Sequence, residues 1–323
     1  MDQSPVPTIS VVMPTYNRRD QLAQVLTPLL ADPVAREVIV VVDGSDDGSM
    51  EELERLGRAD PRLVAIWQEN AGEGAARQAG IERATSDVVL LLDDDVEATP
   101  GLVAGHAAAH AGRPGRVVLG YMPPVPPAPG DPDAFAILLY AEGYEGRTAS
   151  YAEDPDVVLR HLWAGNVSLP REAVLRVGIG SDEYTERYHP DREFGLRLRE
   201  HGLHGVFDRS LVARHHYHRP LDAFVRDARS QGAGWTLVHQ LHGEQAGELR
   251  LDRFEQGLPG PVARGVRFCR RPRASWLASA LLVAGVRAAG RAGSTRRQVT
   301  FARLLRRIEQ QRGAIELRRR SAG

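Results

Sequence analysis

Residues 87–97 read Asp-Val-Val-Leu-Leu-Leu-Asp-Asp-Asp-Val-Glu, and this stretch decides the fold. The apolar run Val88–Leu92 predicts a strand that is buried on both faces, as in a parallel sheet. If the chain stays extended beyond it, Asp93 and Asp95 point to one side and Asp94 to the other. Carboxylates that converge at the end of a strand repel each other unless a cation lies between them. We therefore expect a site for a hard divalent cation such as Mg²⁺, the alternative being a solvated acidic turn.

The composition is that of an ordinary globular protein. The 323 residues are 42% hydrophobic and 26% charged, and the single cysteine, Cys269, excludes an internal disulfide and a Cys-rich zinc site. No signal peptide is visible, and no run approaches the roughly 20 apolar residues of a membrane-spanning helix. These features predict a cytoplasmic protein.

Charge is distributed unevenly along the chain. Every fixed positive side chain is Arg, because the sequence contains no Lys. Residues 251–323 hold 17 Arg and 4 acidic side chains, a net charge of +13, so residues 1–250 carry −14 of the total of −1. Such a tail suggests contact with an anionic surface or partner.

An amphipathic helix is predicted within this basic tail. Phe301, Leu304, Leu305 and Ile308 mark its apolar face, and the opposite face is rich in Arg. The helix could lie on an anionic membrane, peripheral to its inner face, or it could pack on the catalytic domain and leave the Arg side chains solvated. We favour packing and keep membrane contact as the alternative.

Strands and helices alternate through the first hundred residues. Strands are predicted at 9–13, 37–42, 63–67 and 88–92, with helices at about 19–30, 50–58 and 74–84 between them. This alternation predicts βαβ units, whose right-handed crossovers place every carboxyl end of a strand on one edge of the sheet. That edge should collect Pro14–Asn17, Asp43, Asn70–Gly72 and Asp93–Asp95.

Four segments in this order resemble family-2 glycosyltransferases of bacterial type with the GT-A fold. They are Val-Val-Met-Pro-Thr-Tyr-Asn-Arg (11–18), Val-Val-Val-Asp-Gly-Ser-Asp-Asp-Gly-Ser (40–49), Glu-Asn-Ala-Gly-Glu-Gly-Ala-Ala-Arg-Gln-Ala-Gly (69–80) and Leu-Leu-Leu-Asp-Asp-Asp (90–95). The resemblance implies an inverting, metal-dependent transferase that uses a nucleotide-diphosphate sugar.

The resemblance also implies an architecture. We expect an α/β fold with a mostly parallel sheet flanked by helices, and a helical C-terminal extension. The catalytic domain would span residues 1–220, with a nucleotide-binding half at about 8–100 and an acceptor half at about 101–220. The basic extension would follow at 221–323.

Roles are implied for residues that match the family's motifs. The nucleotide-sugar site would comprise Pro14, Thr15, Tyr16, Asn17, Asp43, Asn70, Gly72, Arg77, Asp93, Asp94 and Asn166. Asp43 would accept a hydrogen bond from the base, such as the imide N–H of uracil, and Arg77 would reach the base or the diphosphate. Asp95, with Asp93, would hold Mn²⁺ or Mg²⁺. Gln78 departs from the pattern, since the family usually has Asn there.

The segment His189-Pro190-Asp191-Arg192-Glu193 predicts the start of a helix, because Pro suits its first position and acidic residues suit its first turn. It resembles the family's Glu-Asp-x-Asp/Glu segment, which implies that Asp191 is the base toward the acceptor hydroxyl and Glu193 the second acidic residue. Pro190 stands where the family usually has Glu. The alternative is ordinary helix N-terminal charge, and for Glu193 the two interpretations are equally weighted.

A histidine group follows at Arg214-His215-His216-Tyr217-His218. In an extended stretch, His216 and His218 share one face. Some members of the family place a metal ligand here, which implies that His216 or His218 joins Asp95. Surface histidines without a metal are the alternative.

Other functions fit less well. Nucleotidyl transfer and a Walker A loop both need a Lys, which is absent, and Gly72-x-Gly74 is followed by Arg77 where a dinucleotide fold needs Gly. We do not expect the protein to bind nucleic acid. A noncatalytic protein that binds nucleotide-sugar and docks partners or a membrane through its basic tail stays open. The acceptor is unassigned among glycans, lipid-linked sugars and small molecules.

Overall fold

The computed structural model describes residues 5–247 and 250–322. The chain divides into two compact units. The first comprises the N-terminal part up to Pro124 together with Glu145–Ser181 and Asp191–His216, and the second comprises Val125–Tyr144, Asp182–Pro190 and the part from Tyr217 onward. The boundary expected near residue 220 stays a prediction, although the second unit also takes in two earlier segments.

Eight strands and twelve α-helices are assigned within the described residues. The strands are β1 (Ile9–Thr15), β2 (Ala35–Asp43), β3 (Leu63–Gln68), β4 (Val88–Leu92), β5 (Val96–Ala98), β6 (Arg116–Tyr121), β7 (Asn166–Pro170) and β8 (His204–His215). The helices are α1 (Arg19–Ala31), α2 (Ser49–Gly57), α3 (Glu73–Arg83), α4 (Leu102–His110), α5 (Ala134–Glu153), α6 (Val157–Arg160), α7 (Arg171–Val177), α8 (Pro190–Glu200), α9 (Leu221–His242), α10 (Gly260–Phe268), α11 (Pro272–Arg291) and α12 (Thr295–Ala322).

The sheet of the first unit has the order β3-β2-β1-β4-β7-β6-β8-β5. Its first four strands are parallel, as the βα alternation predicts, with β1 between β2 and β4. Strand β7 is antiparallel to both β4 and β6, and β5 is antiparallel to β8. The expectation of a mostly parallel α/β sheet flanked by helices is confirmed.

Apolar side chains on both faces of this sheet form the core of the first unit. All five residues of β4 are buried, as the uninterrupted apolar run predicts. Val12, Ile39 and Leu91 pack in one cluster with Ile81 of α3 and Phe194 of α8. Burial on two faces therefore fixes β1 and β4 in the centre, and their carboxyl ends emerge side by side.

The second unit is built mainly from helices α9, α11 and α12, with the first part of α5. Phe135 packs edge-on against Phe224 of α9, with 5.4 Å between ring centroids. The apolar face predicted for α12 is used in packing here, since Leu305 and Ile308 are buried. Among residues 5–247 and 250–322, none of the helices combines the length and apolarity that a bilayer crossing requires.

Candidate active site

The three aspartates do not continue strand β4. The strand ends at Leu92, and the N–H of Val96 donates to Asp93 O at 3.1 Å, which closes a turn. The extended course expected beyond Leu92 is therefore wrong. Asp94 and Asp95 both approach Arg18, at 3.9 and 3.8 Å, and Asp93 contacts Arg77. The turn comprises the three aspartates between β4 and the short strand β5.

Arg77 binds three carboxylates from within the protein. Its Nη2 lies 2.5 Å from Asp93 Oδ1 and 2.6 Å from Glu73 Oε1, and its Nη1 lies 3.1 Å from Asp191 Oδ1. Only 3% of Arg77 is exposed. Burial disfavours its charge, but the three carboxylates outweigh burial and raise the pKa of Arg77 above its usual value. Burial also raises the pKa of Asp93, although Arg77 opposes that shift. The guanidinium thus joins the end of β4 to the start of α8.

Asp191 is held by two donors from different elements. Arg77 Nη1 donates to Oδ1, and the backbone N–H of Ala164 donates to Oδ2 at 3.0 Å. Its side chain keeps 29% of its exposure, so the carboxylate is oriented by the protein and still accessible. A carboxylate fixed in this way can accept a proton from a bound hydroxyl group.

Gly165 lets the backbone before β7 approach the side chain of Asp93 closely. A Cβ atom at Gly165 would lie 2.6 Å from Asp93 Oδ2, closer than a carbon and an oxygen can sit without displacement. The N–H of Asp93 also donates to Gly165 O at 3.4 Å. The absence of a side chain therefore lets the segment before β7 lie against the Asp93 carboxylate.

Asp95 lies beside a histidine that the sequence did not single out. His215 Nε2 is 3.4 Å from Asp95 Oδ1, and His215 is 8% exposed. The pairing of β5 with β8 explains this position, because Val96 lies opposite His215 and the N–H of His216 donates to Asp95 O at 2.8 Å. A carboxylate oxygen and an imidazole nitrogen at this separation could both bind one divalent cation such as Mn²⁺.

The two predicted histidine ligands have other partners. His216 Nε2 lies 2.8 Å from Glu97 Oε2 and 3.0 Å from Gln24 Nε2. His218 belongs to the second unit, where its Nε2 is 3.3 Å from Asp133 Oδ2 and where Asp131 completes a group of three side chains that could share an ion. A ligand role for His216 or His218 next to Asp95 stays a prediction.

Thr15 and Asp94 link the ends of β1 and β4. The hydroxyl of Thr15 donates to Asp94 Oδ2 at 2.8 Å. Burial raises the pKa of Asp94 to about 6, although the hydrogen bond from Thr15 acts to lower it. Pro14 is buried in β1, whereas Tyr16 is 53% exposed and offers an aromatic surface at this edge. Asn17 has a positive φ of 53° and donates its N–H to Ser45 Oγ at 2.9 Å.

Asp43 organises the loop that follows β3. Its Oδ1 accepts from Gln68 Nε2 and from the N–H of Ala71, both at 2.8 Å, and its Oδ2 accepts from the N–H of Gly72 at 2.9 Å. The Asn70 amide donates to Asp43 O at 2.8 Å. This brings Asp43, Asn70 and Gly72 together, as predicted from the sheet edge. The carboxylate already has three donors, and its contact with a base stays a prediction.

Asn166 and Glu193 are held inside the protein. Asn166 is fully buried; its Oδ1 accepts from His106 Nε2 at 2.9 Å and its Nδ2 donates to Leu211 O at 3.1 Å. Glu193 is 3% exposed and accepts from Arg197 Nε at 2.8 Å. Both side chains therefore support β7 and α8 in this structure, and their proposed contacts with substrate stay predictions.

Sequence reasoning missed Arg18, His215, Glu73 and the Ala164 N–H. His215 stands next to the predicted His216, but only the register of β5 against β8 shows which histidine faces Asp95. Glu73 lies one helical turn before Arg77, so the i, i+4 spacing in α3 was the available signal for that ion pair. The role of Ala164 could not be predicted from the sequence, because every residue except Pro has a backbone N–H and the residue type does not show which one is used.

The fold, together with the polar residues at the carboxyl edge of its sheet, defines a class of protein. The structure resembles a mannosyltransferase from Pyrobaculum calidifontis solved with GDP-Man and Mn²⁺, with a TM-score of 0.56 and 17% identity over 94% of this chain and 86% of that one. It also resembles Staphylococcus aureus TarS 1–349 solved with UDP, with a TM-score of 0.51 and 16% identity over 91% of this chain and 90% of that one. The fold is thus the GT-A glycosyltransferase fold.

The sequence comparisons agree with the fold. Residues 10–133 match the model of glycosyl transferase family 2. A validoxylamine A glucosyltransferase of Streptomyces hygroscopicus subsp. jinggangensis is 32% identical over 225 residues, 62% of this chain and 53% of the relative. An undecaprenyl-phosphate 4-deoxy-4-formamido-L-arabinose transferase of Pseudomonas syringae pv. syringae is 38% identical over 106 residues, 31% of this chain and 32% of the relative. Residues 10–133 are thus similar to glycosyl transferase family 2, and the chain spans about half the length, or less, of these curated relatives.

Proposed function

We propose that this protein transfers a sugar from a nucleotide-diphosphate sugar, in the first instance a UDP-sugar, to an acceptor hydroxyl with inversion and with the help of Mn²⁺ or Mg²⁺. The match of residues 10–133 to the family model supports the reaction class. The observation that carries the proposal is the sharing of one buried guanidinium, Arg77, between Asp93 and Asp191. It joins the predicted donor side of the sheet edge to the predicted base.

Asp191 acts as the base. The two hydrogen bonds from Arg77 and Ala164 fix the direction of its carboxylate. The acceptor O–H gives its proton to Asp191 while the acceptor oxygen forms a bond to the anomeric carbon. The bond from that carbon to the diphosphate oxygen breaks, and the nucleoside diphosphate leaves with the bonding pair. A single displacement of this kind inverts the configuration at the anomeric carbon.

Asp95 and His215 would hold the metal ion. Their oxygen and nitrogen atoms are 3.4 Å apart, and the donor set suits a hard to borderline divalent cation. When bound, such an ion neutralises the charge that develops on the departing diphosphate. Arg18 lies 3.8 Å from Asp95 and 3.9 Å from Asp94, so it shields these carboxylates from each other and adds a cation to the same edge.

The nucleoside would lie along the ends of β1, β2 and β3. Tyr16 offers an exposed ring for stacking on a base. Asp43 holds the loop of Asn70 and Gly72 at this edge through three hydrogen bonds. Uridine and guanosine donors are both to be tested, because solved proteins with the same fold are described with UDP-GlcNAc and with GDP-Man.

The test is a transfer assay that measures release of nucleoside diphosphate. UDP-glucose, UDP-GlcNAc and GDP-mannose are offered with Mn²⁺ or Mg²⁺, and the acceptors begin with validoxylamine A, which the name of one relative suggests. Asp191→Asn should lower transfer by about 10²–10⁴-fold and leave donor binding intact. Glu172→Gln is the control, because that carboxylate is 88% exposed in α7.

Two results would contradict parts of this proposal. Near-normal turnover by Asp191→Asn would remove Asp191 as the base. Tight binding of a nucleotide-sugar, with no release of product in any mixture of acceptors, would instead favour a noncatalytic nucleotide-sugar-binding protein.

A further inference from the structure

The first part of helix α11 buries two serines and exposes three large apolar side chains. Ser275 and Ser279 are buried, and the Ser279 hydroxyl donates to Glu309 Oε1 at 2.5 Å. Trp276, Leu277 and Leu281 keep 64%, 54% and 66% of their exposure. Because burial of each such side chain contributes about 1.5–3 kcal/mol, a group left in water marks a surface that contacts another molecule or phase.

The exposed residues form one continuous surface. Phe268, at the end of α10, is 57% exposed, and the Arg271 guanidinium lies 4.6 Å from its ring centroid. Phe268 and Leu277 line one shallow hollow with Arg271 and Arg273, and Trp276 and Leu277 line the adjoining one. We call this surface the α11 face, and its members are Phe268, Arg271, Arg273, Trp276, Leu277 and Leu281.

The surroundings of the α11 face are strongly basic. Residues 260–291 contain seven Arg and no acidic residue, and no Asp or Glu occurs between Glu255 and Glu309. Glu255 is engaged by Arg267 and Arg270, at 2.6 Å each, and Arg287 pairs with Asp222 at 2.9 Å. The remaining Arg side chains therefore give this surface a positive potential that an anionic partner complements.

We infer that the α11 face is a docking surface for an anionic lipid bilayer, on which α11 lies in the plane of the headgroups. Trp and Phe side chains suit the boundary between headgroups and acyl chains, Leu277 and Leu281 enter the apolar layer, and Arg271 and Arg273 bind lipid phosphates. The helix lies on the bilayer rather than crossing it, because its buried serines face the protein.

The charge of this surface opposes the main alternative. Two copies of the chain that paired through their α11 faces would bring two Arg-rich, acid-free surfaces together, and like charges across an interface cost binding energy. The amphipathic face of α12 does not compete for this role, because Leu305 and Ile308 are already buried. The inference does not depend on glycosyl transfer, so the two proposals can fail separately.

The experiment is co-sedimentation of the full chain with phosphatidylcholine vesicles that contain or lack phosphatidylglycerol. The wild-type chain should bind the anionic vesicles and not the neutral ones. The triple variant Trp276→Ser/Leu277→Ser/Leu281→Ser should bind at least about tenfold more weakly, because it loses its apolar insertion. The matched control Leu138→Ser/Leu175→Ser, which changes two exposed leucines outside the α11 face, should bind like the wild type.

A second pair of variants tests the charge. Arg271→Gln/Arg273→Gln should weaken binding by about tenfold or more and reduce its sensitivity to salt. Arg296→Gln/Arg297→Gln, at exposed positions in the first turn of α12, should change binding much less. Circular dichroism checks that each variant is folded, as expected for exposed side chains.

Three results would overturn the inference. The first is absence of wild-type binding to anionic vesicles. The second is wild-type binding by the triple variant together with equal losses in the two Arg→Gln variants, which would indicate attraction by net charge alone. The third is a dimer, detected by light scattering, that dissociates in the triple variant while vesicles bind no protein, which would assign the face to a second copy of the chain.

Discussion

The two units differ in the kind of side chain that breaks the usual rule of burial. In the first unit, a guanidinium is buried among carboxylates: Arg77 is 3% exposed and contacts Glu73, Asp93 and Asp191. In the second unit, large apolar side chains remain in water on α11, where Trp276 is 64% exposed. Each arrangement is costly for a protein that contacts nothing. The difference corresponds to the two proposals, which assign a charged ligand to the first unit and an anionic lipid bilayer to the second.

Removal of the buried cation should have the largest effect. Arg77→Gln leaves Asp93 and Asp191 close together without their shared cation, so we expect a loss of roughly 3–5 kcal/mol in the free energy of unfolding, together with loss of transfer. Urea denaturation measures the first effect. Arg209→Gln is the control, since Arg209 pairs with Glu145 at the surface and should cost less than about 1 kcal/mol. Equal, small losses in both variants would show that burial of Arg77 has no energetic consequence.

The two leucine environments of the second unit can be compared directly. Leu305→Ala removes a fully buried side chain from α12 and should destabilise the protein by about 2–5 kcal/mol. Leu281→Ser changes a side chain that is 66% exposed and should alter stability by less than about 0.5 kcal/mol. Thermal and urea unfolding measure both. A large loss in Leu281→Ser would mean that the outer side of α11 is part of the protein core.

Acid should weaken the first unit through two buried histidines of α4. Burial lowers the pKa of His106 and of His110 to about 4. In the unfolded chain these groups titrate near 6.5, so that state binds more protons between pH 6.5 and 4. Their contribution to stability is complete above pH 6.5 and is lost as the pH falls toward 4, by roughly 3 kcal/mol for each group.

The measurement is the free energy of unfolding at a series of pH values. His106→Gln/His110→Gln should flatten the dependence between pH 6.5 and 4. His201→Gln/His204→Gln removes two exposed histidines and should leave the slope unchanged. The same slope in both double variants would contradict the role of the buried pair.

Residue patterns predict the first half of the fold well. Strands β1 to β4 each contain a short apolar run, and helices separate them, so period and length together indicate a parallel sheet. The carboxyl ends of these strands then bring Asp43, Asn70 and the aspartates after β4 to one edge. This reasoning needs no long-range register, which is why it succeeds.

The remaining part of the site depends on register and on backbone groups. The choice of His215 over its neighbours follows from the antiparallel pairing of β5 with β8, and a shift of one residue would exchange the histidine that faces Asp95. The Ala164 N–H reaches Asp191 for reasons of backbone path alone. Nor could the sequence reveal that Asn166 is used internally by His106 and Leu211 O.

The most direct test of the central claim is calorimetric titration with UDP, GDP and dTDP, with and without Mn²⁺. We expect one of these nucleotides to bind with a strong dependence on the metal, and Asp95→Asn to abolish that dependence. Asp191→Asn should bind the same nucleotide as the wild type does, because its contacts lie with Arg77 and Ala164. Binding that is equally tight without metal, or unchanged in Asp95→Asn, would contradict the account of this site.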